Sequence, residues 1–226
     1  MTSKKTSNNK NLTPIFVGGI VVVVVVFFLA LFLVQPSSNE NYLGGDISVS
    51  GDELPDLSVD FNRECVLYEN LNYCQQLEPA ANLKSPIITG TDLSGNIISS
   101  GNNSPTILLF LAHWCGHCQV EVKEIQDWID NGGDMGQVKM YSILTSINSS
   151  QPNYPPDKWL NSEGWSFQSF TDNDLSGVAQ HFGIRGFPFW VLIDSKGDIV
   201  TRLSGSYNKE QFEIILSNLN KYDKEN

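Results

Sequence analysis

Cys115 and Cys118 bracket two residues in the run Trp114-Cys115-Gly116-His117-Cys118. A thiol attacks as its thiolate, so the setting that lowers a cysteine's pKa decides whether it is reactive. A cysteine at a helix N-terminus has that setting, because unpaired N–H groups and the helix dipole favour an anion there. A second cysteine three residues on lies one turn along the same face. It can attack a mixed disulfide formed by the first and release the bound partner. The spacing therefore points to thiol–disulfide exchange, with Cys115 as nucleophile and Cys118 as resolving thiol. A zinc site can use the same spacing but needs two further ligands. His113, His117, His181 and the other two cysteines supply no second close pair. A plain structural disulfide would leave the placement of the motif unexplained.

The placement comes from the flanking elements. Thr106 to Ala112 is an unbroken, mostly apolar run of strand length, as expected of a strand buried on both faces. After the motif, Val122, Ile125, Trp128 and Ile129 recur at helical spacing, and Asn131-Gly132-Gly133 ends the pattern. Val138 to Leu144 predicts the next strand. Asp172 to Phe182 predicts a helix capped by Asp172 or Asn173 and closed by Gly183. Phe189 to Ile193 and Ile199 to Leu203 flank the turn signal Asp194-Ser195-Lys196-Gly197. A last helix, about Lys209 to Asn220, has Asn208 as its cap and turns Phe212, Ile215, Leu216 and Leu219 inward. The predicted order is β-α-β-α-β-β-α.

The N-terminus adds a location. Ile15 to Val34 contains no charged or polar side chain. Twenty helical residues rise about 30 Å, the thickness of a bilayer's hydrocarbon core. Lys4, Lys5 and Lys10 precede the run without an acid, which keeps the N-terminus cytoplasmic and exports the chain beyond Val34. A cleaved signal peptide has a shorter apolar region ending in small residues, and Leu31-Phe32-Leu33-Val34-Gln35-Pro36 shows no such site. The expected organisation is a cytoplasmic tail at 1–14, a transmembrane anchor at 15–34, a flexible tether at 35–62, a cysteine-containing extension at 63–84, and an α/β domain at 85–226. The whole chain has 14 basic and 25 acidic residues, a net charge of −11. Such acidity excludes a nucleic-acid partner and docking on anionic lipid.

With these residues in view, the chain resembles the thioredoxin-like superfamily. Phe110-Leu-Ala-His-Trp-Cys-Gly-His-Cys118 is similar to that family's active-site strand and helix start. Ser85-Pro-Ile-Ile-Thr-Gly-Thr-Asp-Leu-Ser-Gly95 resembles the entry hairpin of membrane-anchored TlpA/ResA-like proteins. Gly183-Ile-Arg-Gly-Phe-Pro-Phe-Trp-Val-Leu-Ile-Asp194 resembles the second signature. The resemblance covers about residues 85–220. It implies a thioredoxin-like α/β fold with a central mixed sheet flanked by helices, here behind an N-terminal transmembrane helix. It implies a thiol–disulfide oxidoreductase that needs no cofactor or metal. Its partners would be exported proteins carrying cysteines, a membrane redox partner, and the bilayer through the anchor.

The resemblance also assigns residues. Pro188 carries over as the cis-proline beside the cysteine pair, and Phe187, where thioredoxins usually have Thr, would shape the substrate groove with Trp114. The buried Asp of thioredoxin falls at Leu109, so that proton acceptor is missing. The TlpA/ResA-like branch instead has a Glu six residues after the first cysteine, here Glu121, one turn beyond Cys118 and placed to act as its general base. The alternative is a solvated Glu like Glu124. His117 could stabilise the Cys115 thiolate. Its Gly-His dipeptide is that of protein disulfide isomerases, which suggests oxidation, whereas the branch suggests reduction. His113 and His181 are expected to be ordinary surface or structural residues. Cys65 and Cys74 are expected to form a structural disulfide, worth about 2.5–3 kcal/mol for a ten-residue loop in the chain-entropy model; an electron relay is the alternative. The other function classes considered are a copper-delivery protein, which uses a wider cysteine spacing and a distal His, a peroxidase, whose Thr or Ser is Ala112 here, and a non-catalytic binding module.

Overall fold

The structure, a computed structural model, describes residues 41–42, 47–57, 64–68, 71–75, 78–173 and 175–225, at 41–42, 64–68 and 71–75 as backbone only. The tail expected at 1–14 and the apolar run expected to be an anchor at 15–34 lie outside the described residues. Among the described residues no helix is long and apolar enough to cross a membrane.

The buried strand expected before the motif is β7, Thr106–Leu111, with all six residues buried. It is the middle of a five-stranded sheet. On one side it runs parallel to β8 (Lys139–Leu144), which is parallel to β9 (Gln168–Thr171). On the other it is antiparallel to β10 (Phe189–Ile193), which forms a hairpin with β11 (Ile199–Ser204). The expected turn joins that hairpin, with Gly197 at φ +83° and its N–H donating to Asp194 O. Side-chain alternation divides the core. Leu108 and Phe110 face one layer, with Tyr141, Ile143 and Phe170. Ile107, Leu109 and Leu111 face the other, under α1 (Gly116–Asp130) and α4 (Lys209–Glu225). Trp128 of α1 stands edge-on to Phe212 of α4 at 5.0 Å and donates to Glu213 at 2.8 Å. At the end of α1, Gly132 takes φ +88°, and the Gly133 N–H bonds Trp128 O. A Cβ on Gly133 would lie 2.3 Å from the Trp128 ring, so this turn requires glycine.

Three expectations are corrected. Between β8 and the second signature the sequence predicts one helix, yet the chain inserts α2 (Pro156–Ser162) and β9 there. The helix expected over 172–182 shrinks to α3, Gly177–His181. Asp172 still caps it, from a distance: its carboxylate accepts from the N–H groups of Val178 and Ala179. Gly183, at φ +66°, closes it as expected. The third correction concerns the tether at 35–62. Residues 47–57 are packed, because β2 (Ile47–Ser50) pairs with β5 (Ile87–Thr91), Leu54 is buried, and Leu54 N–H donates to His181 O. With β1 (Asn41–Tyr42) and β6 (Ile97–Ser99) these strands make a second, four-stranded sheet in the order β1-β2-β5-β6. Its apolar face covers the first core layer.

The extension at 63–84 contains a hairpin of β3 (Glu64–Tyr68) and β4 (Leu71–Gln75) with Cys65 and Cys74 as directly opposed partners. After it, Glu78 meets Arg202 of β11. The guanidinium, fully buried, donates to Glu78 at 2.7 and 3.0 Å and to Phe182 O at 2.8 Å.

Candidate active site

Cys115 is the N-cap of α1. Its backbone is extended (φ −78°, ψ 116°), and its carbonyl accepts the first helical hydrogen bond from Gln119. The N–H groups of the first turn lack helical acceptors, and no acid occupies that turn to compete for the dipole. Cys115 is half-buried, and its Sγ lies 3.6 Å from Phe187 O, to which the thiol donates. Cys118, one turn on, is fully buried. Burial pushes its thiol far above the ordinary range, and the neighbouring Cys115 and the Glu121 charge push the same way. The two thiols are thus unequal: one meets solvent at a helix start, and the other is held protonated inside.

Glu121 is buried at 1 % exposure, unlike a solvated helix Glu. One carboxylate oxygen accepts from Tyr207 N–H at 2.9 Å, while the other has no hydrogen-bond partner among the described residues. Burial raises its pKa to about 7, against the opposing Tyr207 hydrogen bond. A carboxyl with that pKa exchanges protons near neutrality, within electrostatic reach of Cys118. The segment after β11 sits over it, and Ser206 donates to His117 O at 3.3 Å. His117 itself is exposed at the rim.

Phe187 and Pro188 reach the site from the loop before β10. Their peptide bond is cis. Pro188 is buried and Phe187 half-buried, its ring edge-on to Trp114 at 6.5 Å. Trp114 is 39 % exposed, with its indole N–H donating to Ser146 O at 2.8 Å. The structure therefore brings Trp114, Cys115, Cys118, Glu121, Phe187 and Pro188 together.

How the 146–154 segment is held carries no signal in the sequence. His113 is 1 % exposed, not a surface residue. Its Nδ1 donates to Pro152 O at 2.6 Å, and its Nε2 accepts from Asn148 N–H at 3.1 Å. These partners fix the neutral Nδ1–H tautomer, since one only accepts and the other only donates. His181 is also buried, with Nε2 3.1 Å from Gly51 O. Among the described residues no three His, Cys, Asp or Glu side chains cluster as metal ligands. Tyr207, the backbone partner of Glu121, is equally silent in the sequence, because the contact joins segments 86 residues apart.

Residues 97–220 match the sequence pattern of the family described as Thioredoxin-like domain. That is more than half of the chain, and the chain belongs to this family. Solved structures share the architecture. A putative protein disulfide isomerase from Bacteroides thetaiotaomicron is 23 % identical, with a TM-score of 0.50 over 64 % of this chain and 90 % of that one. A putative thiol:disulfide interchange protein DsbE from Chlorobium tepidum is 18 % identical, with a TM-score of 0.50 over 62 % of this chain and 97 % of that one. At these identities the likeness establishes the fold.

Proposed function

We propose that this chain is a membrane-anchored thiol–disulfide oxidoreductase of the TlpA/ResA-like kind, working on cysteine-containing proteins outside the cytoplasm. The observation that carries the reading is the inequality of the two thiols: Cys115 half-exposed at the start of α1, Cys118 fully buried one turn later. The Cys115 thiolate attacks one sulfur of a substrate disulfide. That S–S bond breaks, a new one forms to Cys115, and the first substrate thiolate leaves and takes a proton. Glu121 accepts the Cys118 proton, and the Cys118 thiolate attacks the Cys115 sulfur. The second substrate thiolate leaves, and its proton returns from Glu121 or solvent. The substrate disulfide has gained two electrons and two protons, and the enzyme pair is now a disulfide. The same steps in reverse oxidise a substrate dithiol. A reduction potential near about −270 mV marks a reductant, and one near about −180 mV an oxidant or isomerase. A membrane redox partner recharges the pair.

The anchor reading rests on Ile15 to Val34 and the lysines before it. Protease accessibility of the C-terminal domain on intact cells tests it, and protection of that domain overturns it. The activity is tested by insulin reduction with the dithiol form; absence of turnover with both insulin and a small disulfide rejects the reading.

A further inference from the structure

The link between β11 and α4, Gly205 to Asn208, joins three parts of the site. Gly205, at φ +110°, donates its N–H to Pro188 O at 3.0 Å. Ser206 donates its hydroxyl to His117 O at 3.3 Å. Tyr207 donates its N–H to Glu121 Oε2 at 2.9 Å. The link is also pinned from behind. The buried Trp190 donates its indole N–H to Gly205 O at 3.2 Å and stands edge-on to the Tyr207 ring at 5.8 Å. Asn208 caps α4. The backbone is thus held over Glu121, and the freedom left at Ser206 is rotation of its hydroxyl.

Two acceptors compete for that hydroxyl. One is the neutral carbonyl of His117. The other is the Glu121 carboxyl, whose Oε1 is buried without a hydrogen bond and whose pKa the nearby Ser206 hydroxyl pulls down against burial. A charged acceptor makes a hydrogen bond roughly twice as strong as a neutral one. A buried carboxylate oxygen left empty is costly, and a protonated carboxyl much less so. The hydroxyl therefore belongs to His117 O while Glu121 is protonated, and to Glu121 once it is charged. Ser206 is exposed and Glu121 is not, so the same group joins the buried carboxyl to water.

We propose that Ser206 is a positioning residue of the resolving step: its hydroxyl turns from His117 O to the Glu121 carboxylate as Glu121 loses its proton, and is the contact through which that buried carboxyl meets water. The inference rests on the oxidoreductase reading, with Glu121 as base for Cys118. The Cys118 proton moves to the Glu121 carboxylate, and the thiolate pair attacks the Cys115 sulfur. The carboxyl proton then passes to Ser206 Oγ as the hydroxyl's own proton goes to water. Ser206 ends unchanged, neither oxidised nor reduced. Other ionisable groups around Glu121 stay constant. Glu124, on the same helix, raises its pKa, and Cys118 is protonated until it reacts. Cys115 is uncharged as a mixed disulfide. Tyr207 directs its phenol to Ser204 O, and the loop before β10 brings only Phe187 and Pro188. His117, Lys209 and Glu210 are exposed.

The test mixes the reduced full chain, in detergent micelles, with excess symmetrical disulfide of thionitrobenzoate. Attack by Cys115 releases one chromophore, and attack by Cys118 on the resulting mixed disulfide releases the second. Cys118→Ser identifies the second phase by removing it. Both rate constants are independent of the folded fraction. From about pH 5.5 to about pH 9.5, the second phase should rise through a midpoint near about 7. Ser206→Ala and Ser206→Gly should each move that midpoint up by about one unit, slowing the second phase about fivefold at about pH 7 and leaving it unchanged at about pH 9.5. Ser206→Thr should keep the wild-type midpoint. The first phase should follow the wild-type profile in all three. A midpoint unmoved in both hydroxyl-free variants, an equal slowing at every pH, or a Thr variant that behaves like Ala overturns the proposal and leaves exchange intact. A wild-type profile that Glu121→Gln does not alter removes the base, and the role of Ser206 with it. Absence of both phases overturns the oxidoreductase reading itself.

Discussion

The chain carries two cysteine pairs, and the fold treats them differently. Cys115 and Cys118 sit at a strand-to-helix junction, one at the open end of α1 and one buried behind it. Cys65 and Cys74 are Cα partners in the register of the β3–β4 hairpin. Directly opposed antiparallel residues have Cα atoms about 4.5–5.5 Å apart, inside the about 4.4–6.8 Å span of a disulfide. Geometry thus allows a bond in both places. The difference lies in the backbone. In the two-stranded hairpin the N–H groups point alternately to the partner strand and to the open edge and converge on no single sulfur, whereas the first turn of α1 gathers several unspent N–H groups beside one. Closeness makes a disulfide possible; the free helix end is what makes a thiol reactive.

The strongest way to break this contrast is to remove the reactive sulfur. Cys115→Ser should reduce exchange with any disulfide to background, read by insulin precipitation. Retained turnover would shift the chemistry to the hairpin pair. Cys118→Ser should leave the first attack intact and stall release, so that mixed disulfides with substrate accumulate on non-reducing gels. Finding Cys118 to be the faster-alkylated thiol would reverse the two roles. The Cys65→Ser/Cys74→Ser double variant should lose about 2.5–3 kcal/mol of unfolding free energy, the value of a ten-residue closed loop. Its exchange rate per folded molecule should stay the same. A trapped cross-link between either hairpin cysteine and Cys115 would make the hairpin a relay and dissolve the contrast.

The smallest effect concerns Glu121. Its carboxyl is raised from 4.5 to about 7 by burial, so between those values the folded chain holds a proton that the unfolded chain has lost. The stability linked to that proton is fully present below about pH 4.5 and is lost as pH rises to about 7. Glu121→Gln should flatten this stretch of the stability curve and gain about 1–2 kcal/mol at pH 8, read by denaturant titration at several pH values. The same variant should slow resolution more than first attack. An unchanged pH profile for both stability and resolution would leave Glu121 without a titrating role.

The parts of the site made by local chain geometry are legible in the sequence. An apolar strand, a Cys-x-x-Cys and a helical pattern succeed one another without interruption, so Cys115 has only one place to go. The cap of α4 is equally local: Asn208 accepts from Gln211 N–H at 3.0 Å, and the Gln211 side chain answers at the same distance. The illegible parts are nonlocal. Asp172 reads as the cap of a helix that starts beside it, yet that helix starts only at Gly177, and Asp172 reaches it across a turn by accepting from the N–H groups of Val178 and Ala179. Nothing in the pattern of residues 146–155 tells that His113 will gather them. The 47–57 segment reads as tether because its apolar residues are few, but a strand needs little apolar content when it completes an existing sheet.

The Glu78–Arg202 pair has a consequence for truncation. Sequence pattern places the family unit at residues 97–220. A fragment cut to that unit, or to the resemblance beginning at Ser85, would keep Arg202 and discard Glu78. Stripping one partner from a buried ion pair costs about 3–5 kcal/mol, a large share of a small domain's whole stability. The cut would also take β2 from beside β5. The shortest piece expected to stand alone therefore begins upstream of Ile47, half a hundred residues before the stretch by which the family is recognised.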